Sequence, residues 1–295
     1  MNFKGCYVAI ATPFGKDGTV DEDGLRKNVE FLIQRGVSGV APCGTTGESA
    51  TLSWEEHNHV VDIAISQSNG RCQIIAGAGS NNTSESIQAA GHAREVGADA
   101  ILCITPYYNK PTQEGLYQHY RAIAQSVDIP IVVYNVPGRT GVNLAPETLE
   151  RLCEFETVAA VKEASGDVLQ ASEIHRRCGD RLAILSGDDA LTLPMLACGG
   201  SGVISVVANI VPERMIAMID AFCSGKQDEA RELHEQLLPL SQAMFIETNP
   251  IPIKTAMNHI GLSAGSLRLP LVEMQPDNKE KLISVLSACD VRQVQ

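Results

Sequence analysis

A closed (β/α)8 barrel of the TIM type with a C-terminal helical appendage is the α/β fold this sequence predicts. Three observations predict it. Short apolar, β-branched segments alternate eight times with helical patterns between residues 7 and 223. Eight such units over that span suit a barrel, which typically takes about 250 residues. From Lys226 onward strand signals stop while helical ones continue. A doubly wound sheet is the structural rival, but it usually carries a glycine-rich phosphate turn after its first strand. Ala11-Thr12-Pro13-Phe14-Gly15 is not such a turn.

The strands are expected at 7–12, 39–43, 73–78, 100–105, 131–136, 158–162, 182–186 and 202–207. The helices that follow them are expected at 21–35, 54–68, 84–96, 112–126, 146–153, 167–177, 189–197 and 212–223. Gly36, Gly97 and Gly225 each follow a helical pattern, where glycine takes the left-handed cap. Thr83-Ser84-Glu85-Ser86 before an apolar run resembles a helix start, and Pro146 and Pro212 suit a first helical turn. Gly199-Gly200-Ser201-Gly202 reads as a flexible turn entering the last strand. Helices at 227–246, 253–260 and 278–288 form the appendage, with Asn249-Pro250-Ile251-Pro252 punctuating the first two. The expected division is a catalytic barrel of residues 1–225 and a helical domain of residues 226–295.

Composition narrows the function. Hydrophobic residues make up 44% and charged residues 20% of the 295, as in a globular protein with a substantial core. A formal net charge of −12 argues against nucleic-acid binding, which needs a basic surface. No apolar stretch approaches the roughly 20 residues that span a bilayer, so no membrane partner is expected. The N-terminus lacks the apolar core of a signal peptide. The nine cysteines stand singly at 6, 43, 72, 103, 153, 178, 198, 223 and 289, with no Cys-x-x-Cys pair. An odd, dispersed set is not a disulfide framework, so a reducing cytoplasm is expected.

Barrel chemistry collects at the carboxyl ends of the strands. The second strand ends in Gly44-Thr45-Thr46-Gly47-Glu48 and the fourth in Pro106-Tyr107-Tyr108-Asn109-Lys110. The fifth carries Tyr134, then Asn135-Val136-Pro137-Gly138-Arg139-Thr140. The sixth closes on Lys162, and the seventh gives Ser186-Gly187-Asp188-Asp189. Lys162 is the informative residue. A strand-end lysine is commonly one whose stem covers apolar surface while its head reaches water. On a rigid strand facing an apolar interior, however, burial disfavours the ammonium form and the amine becomes a nucleophile toward carbonyls. Lys254 also follows apolar residues, but among prolines that exclude a central strand.

Metal and cofactor patterns are missing, and neither is expected. His57 and His59 are two apart on a helix and point to different faces, so both are read as helix-surface histidines. No P-loop or His-Glu-x-x-His occurs, and Gly77-Ala78-Gly79 lacks a third glycine. An amine with phenols and hydroxyls suits imine chemistry: the lysine condenses with a 2-oxo acid, an enamine forms, and its carbon attacks a second carbonyl. Each step moves a proton, which gives a tyrosine relayed through threonine a task. Backbone N–H groups of the Gly44–Gly47 turn suit a carboxylate, and Arg139 suits a second one as a fork.

Three motifs carry a family likeness. Gly44-Thr45-Thr46-Gly47-Glu48, Tyr134-Asn135-Val136-Pro137-Gly138-Arg139-Thr140 and Val161-Lys162-Glu163-Ala164-Ser165-Gly166 resemble the dihydrodipicolinate (4-hydroxy-tetrahydrodipicolinate) synthases, within the N-acetylneuraminate lyase superfamily of class I pyruvate aldolases. The likeness spans nearly the whole chain. It implies a lyase of lysine biosynthesis by the diaminopimelate route, joining pyruvate to L-aspartate 4-semialdehyde. Lys162 would carry the pyruvate imine, and Tyr134 would be the acid–base residue, linked through Thr45 to Tyr108 of a neighbouring subunit. Thr45 and Thr46 would bind the pyruvate carboxylate and Arg139 that of the semialdehyde, with Ile204 beside the site. The family arrangement is a homotetramer, a dimer of dimers.

The same likeness implies an allosteric site for L-lysine at Ser49, Ala50, Trp54, His57, Asn81, Glu85 and Tyr107. Trp54 stands where some lysine-sensitive bacterial members have histidine and plant-type members tryptophan. Glu85 suits an ammonium partner, although a glutamate there also favours a helix N-terminus. Two rival functions remain. An N-acetylneuraminate lyase or another pyruvate aldolase shares the lysine and tyrosine but usually lacks Gly-Arg-Thr after the tyrosine. A non-catalytic ligand sensor would not need the amine, phenol and hydroxyl set.

Overall fold

A computed structural model describes residues 3–294. Eight parallel strands close into a barrel in chain order, with the last paired to the first. They are β1 (Gly5–Ala9), β2 (Gly39–Ala41), β3 (Gln73–Gly77), β4 (Ala100–Ile104), β5 (Ile131–Asn135), β6 (Val158–Glu163), β7 (Ala183–Ser186) and β8 (Gly202–Ser205). Around them lie α1 (Glu22–Gln34), α2 (Trp54–Ser68), α3 (Thr83–Glu95), α4 (Gln113–Ser126), α5 (Pro137–Thr140), α6 (Pro146–Leu152), α7 (Val168–Cys178), α8 (Thr192–Ala197) and α9 (Pro212–Cys223). The chain then continues through α10 (Gln227–Ala243), α11 (Ile251–His259) and α12 (Pro276–Ala288). Among the described residues no helix is long and apolar enough to cross a membrane.

Element order and type follow the periodicity, and the small departures have local causes. Asp21, Thr112 and Asp167, expected inside helices, stand outside as caps. Asp21 accepts from Gly24 N–H at 2.9 Å, Thr112 from Gly115 N–H at 3.3 Å, and Asp167 from Leu169 and Gln170 N–H at 2.9 and 3.2 Å. Each satisfies a first-turn donor that has no partner within its helix. The helix expected at 189–197 is split into a 3₁₀ turn (Asp189–Leu191) and α8. Buried Asp189 is recruited elsewhere, its Oδ2 accepting from Val206 and Val207 N–H at 3.0 and 2.9 Å. Pro137–Thr140, outside every expected element, forms the single turn α5.

Strand alternation builds two cores. Cys6, Val8, Val40, Ile74, Ile101, Cys103, Val133, Val161, Ile184 and Val203 point outward and pack with the helices. Tyr7, Ala9, Ala41, Ile75, Ala100, Leu102, Val132, Tyr134, Ala160, Leu185 and Ile204 point inward. At the amino end of the barrel Tyr7 is fully buried, and its hydroxyl donates to Gln73 Oε1 at 2.6 Å. Gly39 leaves room for that ring, since a Cβ there would lie 2.8 Å from Tyr7 Cδ1. Phe3 packs beside it, ring centroids 6.3 Å apart. The barrel is therefore stoppered at this end.

Candidate active site

Register and alternation together place the amine beside a phenol. β5 and β6 pair Tyr134 with Lys162, and Val132 and Ala160, one alternation earlier, belong to the inner core. Both side chains are thus driven inward at the carboxyl end. Lys162 is 5% exposed and its Nζ lies 4.3 Å from the Tyr134 ring centroid. On the next strand end Gly187 makes the space for it. A Cβ there would lie 3.1 Å from Lys162 Cε and 2.5 Å from Ala164 Cβ.

Lys254 shows the opposite condition. Its Nζ donates to Glu48 Oε1 at 2.7 Å, Thr12 O at 3.0 Å and Ser266 O at 2.6 Å, which uses all its hydrogens. Burial lowers its pKa, with the Glu48 carboxylate opposing the shift. Among the described residues no acceptor takes a hydrogen bond from Lys162, so Lys162 is the buried lysine with an uncommitted amine. Glu48, the last residue of the Gly-Thr-Thr-Gly-Glu turn, also accepts from Arg268 N–H at 3.1 Å. Arg268 forks onto Glu56 at 2.5 and 2.9 Å and lies 4.2 Å over the Phe14 ring. Thr12 Oγ1 holds the same turn by donating to Gly47 O at 2.7 Å.

Thr46 within the turn is buried, and its Oγ1 accepts from Asn249 Nδ2 at 3.0 Å. Arg139, on α5, is exposed and donates from Nη2 to Asn249 O at 3.0 Å. Ile204 is fully buried on β8 and faces the barrel interior. Tyr108 projects into solvent, 89% exposed, on a left-handed backbone with φ 71°.

A cavity of about 490 Å³ opens at this end of the barrel. Thr45 and Arg139 line it, together with Ser49, Ala50, Trp54, His57, Glu85 and Tyr107. Lys162, Tyr134, Thr46 and Ile204 are not among its walls, and neither are Asn81 and Tyr108. Asn81 instead tethers the wall, donating to Tyr107 O at 3.2 Å. Glu85 accepts from Ser80 Oγ at 2.7 Å and Asn82 Nδ2 at 3.3 Å.

One sequence reading is corrected here. His57 is not a surface histidine: it is buried, Trp54 meets it edge-on at 5.2 Å, and burial pushes its pKa below the usual histidine value. The spacing argument holds only in that His59 faces the other way, at the surface against Glu22. Sequence reasoning also missed Asn249, Lys254 as the partner of Glu48, and Gly187 as the space beside Lys162. The Asn-Pro-Ile-Pro punctuation marked the place of Asn249 but gave no sign of where its amide reaches.

An uncommitted amine against a phenol, at the carboxyl end of a closed parallel barrel, defines an enzyme of the Schiff-base-forming lyase class. The chain belongs to the dihydrodipicolinate synthetase family, whose model matches residues 2–289. A relative from Geotalea daltonii, named 4-hydroxy-tetrahydrodipicolinate synthase, is 56% identical over 284 residues, covering 96% of this chain and 98% of its own. The crystal structure of dihydrodipicolinate synthase from Aquifex aeolicus matches with TM-score 0.97 at 46% identity, covering 99% of this chain and 100% of that one. The enzyme from Cyanidioschyzon merolae, solved with lysine bound, matches with TM-score 0.96 at 39% identity, covering 98% of this chain and 99% of its own.

Proposed function

We propose that the chain condenses pyruvate with L-aspartate 4-semialdehyde, the 4-hydroxy-tetrahydrodipicolinate synthase reaction of the diaminopimelate route to lysine, with Lys162 as the nucleophile. The observation that carries this is the inward register pair of Tyr134 and Lys162 with Nζ uncommitted. The amine attacks the ketone carbon of pyruvate and water leaves, giving an imine. Loss of a methyl proton then gives an enamine, whose carbon attacks the aldehyde. Tyr134 is the adjacent acid–base group, relayed through Thr45 to Tyr108 of a neighbouring subunit in a dimer that pairs into a homotetramer. The 89% exposure of Tyr108 is what a residue acting in another subunit would show alone.

Thr45 and Thr46 take the pyruvate carboxylate, Arg139 that of the semialdehyde, and Ile204 backs the site. Arg139 at the cavity wall favours this acceptor over those of the other pyruvate aldolases. Residues 1–225 form the catalytic barrel and residues 226–295 a helical domain. The reaction runs in the cytoplasm.

L-Lysine inhibits from the cavity, at Ser49, Ala50, Trp54, His57, Glu85 and Tyr107 on its wall and Asn81 behind Tyr107. The Glu85 carboxylate there supports an ammonium ligand, and the lysine-bound relative supports the choice. Unchanged activity at millimolar lysine would reject this part. Borohydride reduction with pyruvate, peptide mapping and a semialdehyde assay test the reaction. A pyruvate adduct absent from the Lys162 peptide rejects the mechanism, and an adduct without semialdehyde turnover favours another aldolase.

A further inference from the structure

Asn249 joins the two groups read above as holding the two carboxylates. It lies just before α11, is 5% exposed, and lines the mouth cavity. Its amide nitrogen donates to Thr46 Oγ1 at 3.0 Å, while its backbone carbonyl accepts from Arg139 Nη2 at 3.0 Å. The side-chain bond has a direction, and the direction has a consequence. A threonine hydroxyl has one hydrogen to give and two lone pairs to fill. Because Asn249 fills a lone pair, the Thr46 hydrogen is left to be donated elsewhere. Among the described residues no acceptor takes it, and Thr46 is only 1% exposed. Thr45, the adjacent residue, and Asn249 both line the cavity, so a carboxylate bound beside Thr45, which offers nothing but acceptors, can take that hydrogen.

A second observation separates this from ordinary packing. Asn249 Oδ1 is buried without a hydrogen-bond partner. Buried polar atoms are almost always paired, so an amide held with Nδ2 on Thr46 and Oδ1 on no protein donor gives up one bond to keep the other. The bond it keeps is the one that directs the Thr46 hydrogen.

We propose that Asn249 is a positioning residue for the first substrate: its amide turns the Thr46 hydroxyl toward the pyruvate carboxylate. Its backbone carbonyl separately steadies Arg139, and that contact does not depend on the side chain. The inference rests on the pyruvate reading of the site.

The separation of side chain from backbone makes the test selective. Asn249→Ala should raise KM for pyruvate roughly 5–10-fold, the worth of one neutral hydrogen bond. KM for the semialdehyde and kcat at saturating pyruvate should stay within about threefold. Asn249→Asp, nearly the same shape, should be worse than alanine, because a carboxylate accepts the Thr46 hydrogen and turns it away from the substrate. A space-filling role predicts the reverse order. In a Thr46→Val background the hydroxyl is already gone, so adding Asn249→Ala should change pyruvate KM little. Melting curves and gel filtration establish that each variant is folded; should alanine collapse the loop, Asn249→Ser carries the same expectation.

An unchanged pyruvate KM in the folded alanine or serine variant overturns the role. So does an aspartate variant milder than alanine, or an equal loss in the valine background. Borohydride trapping of pyruvate by the wild-type enzyme is the control. If the wild type fails to trap, the pyruvate reading and this inference fall together. If it traps and the variants show no effect, only the role of Asn249 falls.

Discussion

Replacing Lys254 with methionine should loosen the mouth of the barrel from its appendage side. Methionine keeps most of the apolar stem and removes the charge. In the native chain the two partners of this pair are 1% and 0% exposed, and Nζ holds Glu48 together with the carbonyls of Thr12 and Ser266. Taking away the lysine leaves a buried carboxylate without its ammonium partner, held only by Arg268 N–H, which costs about 3–5 kcal/mol. At roughly 2–4 °C per kcal/mol for a chain of this order of size, Tm should fall by about 6–20 °C. Thermal melts followed by circular dichroism measure it.

Adding Glu48→Gln to Lys254→Met removes the stranded charge and should recover at least about half of the loss. The pH dependence supplies a second reading. The folded pKa of Lys254 lies below its ordinary 10.5, so between the two values the unfolded chain holds more protons. Wild-type stability should therefore gain from this group as pH rises toward 10.5, and Lys254→Met should lack that gain. A variant melting within about 2 °C of wild type, or no recovery on neutralising Glu48, would refute the reasoning.

Three further outcomes follow from the same geometry. Arg139→Ala should raise KM for the semialdehyde about 10–100-fold while borohydride still traps pyruvate on Lys162; lost trapping contradicts the division of labour. Gly187→Ala puts a Cβ 2.5 Å from Ala164 Cβ and 3.1 Å from Lys162 Cε. It should slow trapping at least about tenfold with a stability cost of about 1–3 kcal/mol, and normal trapping counts against the packing. His119 is buried, and burial pushes its pKa down to about 4 from 6.5. The unfolded chain takes up a proton there that the folded chain does not, so stability should drop as pH falls from 6.5 toward 4. The drop is on the order of 3 kcal/mol. His119→Phe should flatten Tm against pH across that window, and an unchanged slope is the contrary result.

The elements were legible because each carries its own signal. Strand alternation sent Lys162 and Tyr134 inward, and the eightfold repeat placed them on adjacent strand ends. What lay hidden depends on partners far along the chain. Glu48 meets Lys254, and Thr46 meets Asn249, across separations of 206 and 203 residues. No local period reports such a meeting. His57 was misread for a related reason: helical spacing separates it from His59 without telling which face of α2 is covered. The caps Asp21, Thr112 and Asp167 were displaced by one position because a capping side chain and a first-turn residue look alike in composition.

The tyrosine stopper at the amino end carries a consequence for the order of events. With Tyr7 and Phe3 closing one end, reactants come and go by the other. Lys162 lies within the barrel, and Arg139 stands beyond it on α5 at the cavity wall. Such a vessel fills from the bottom. On the roles proposed above for Lys162 and Arg139, the ketoacid destined for the amine would enter first, its partner would settle above it, and a semialdehyde arriving early would obstruct it. On the same roles departure would reverse the queue, the joined product leaving past Arg139 before another ketoacid descends.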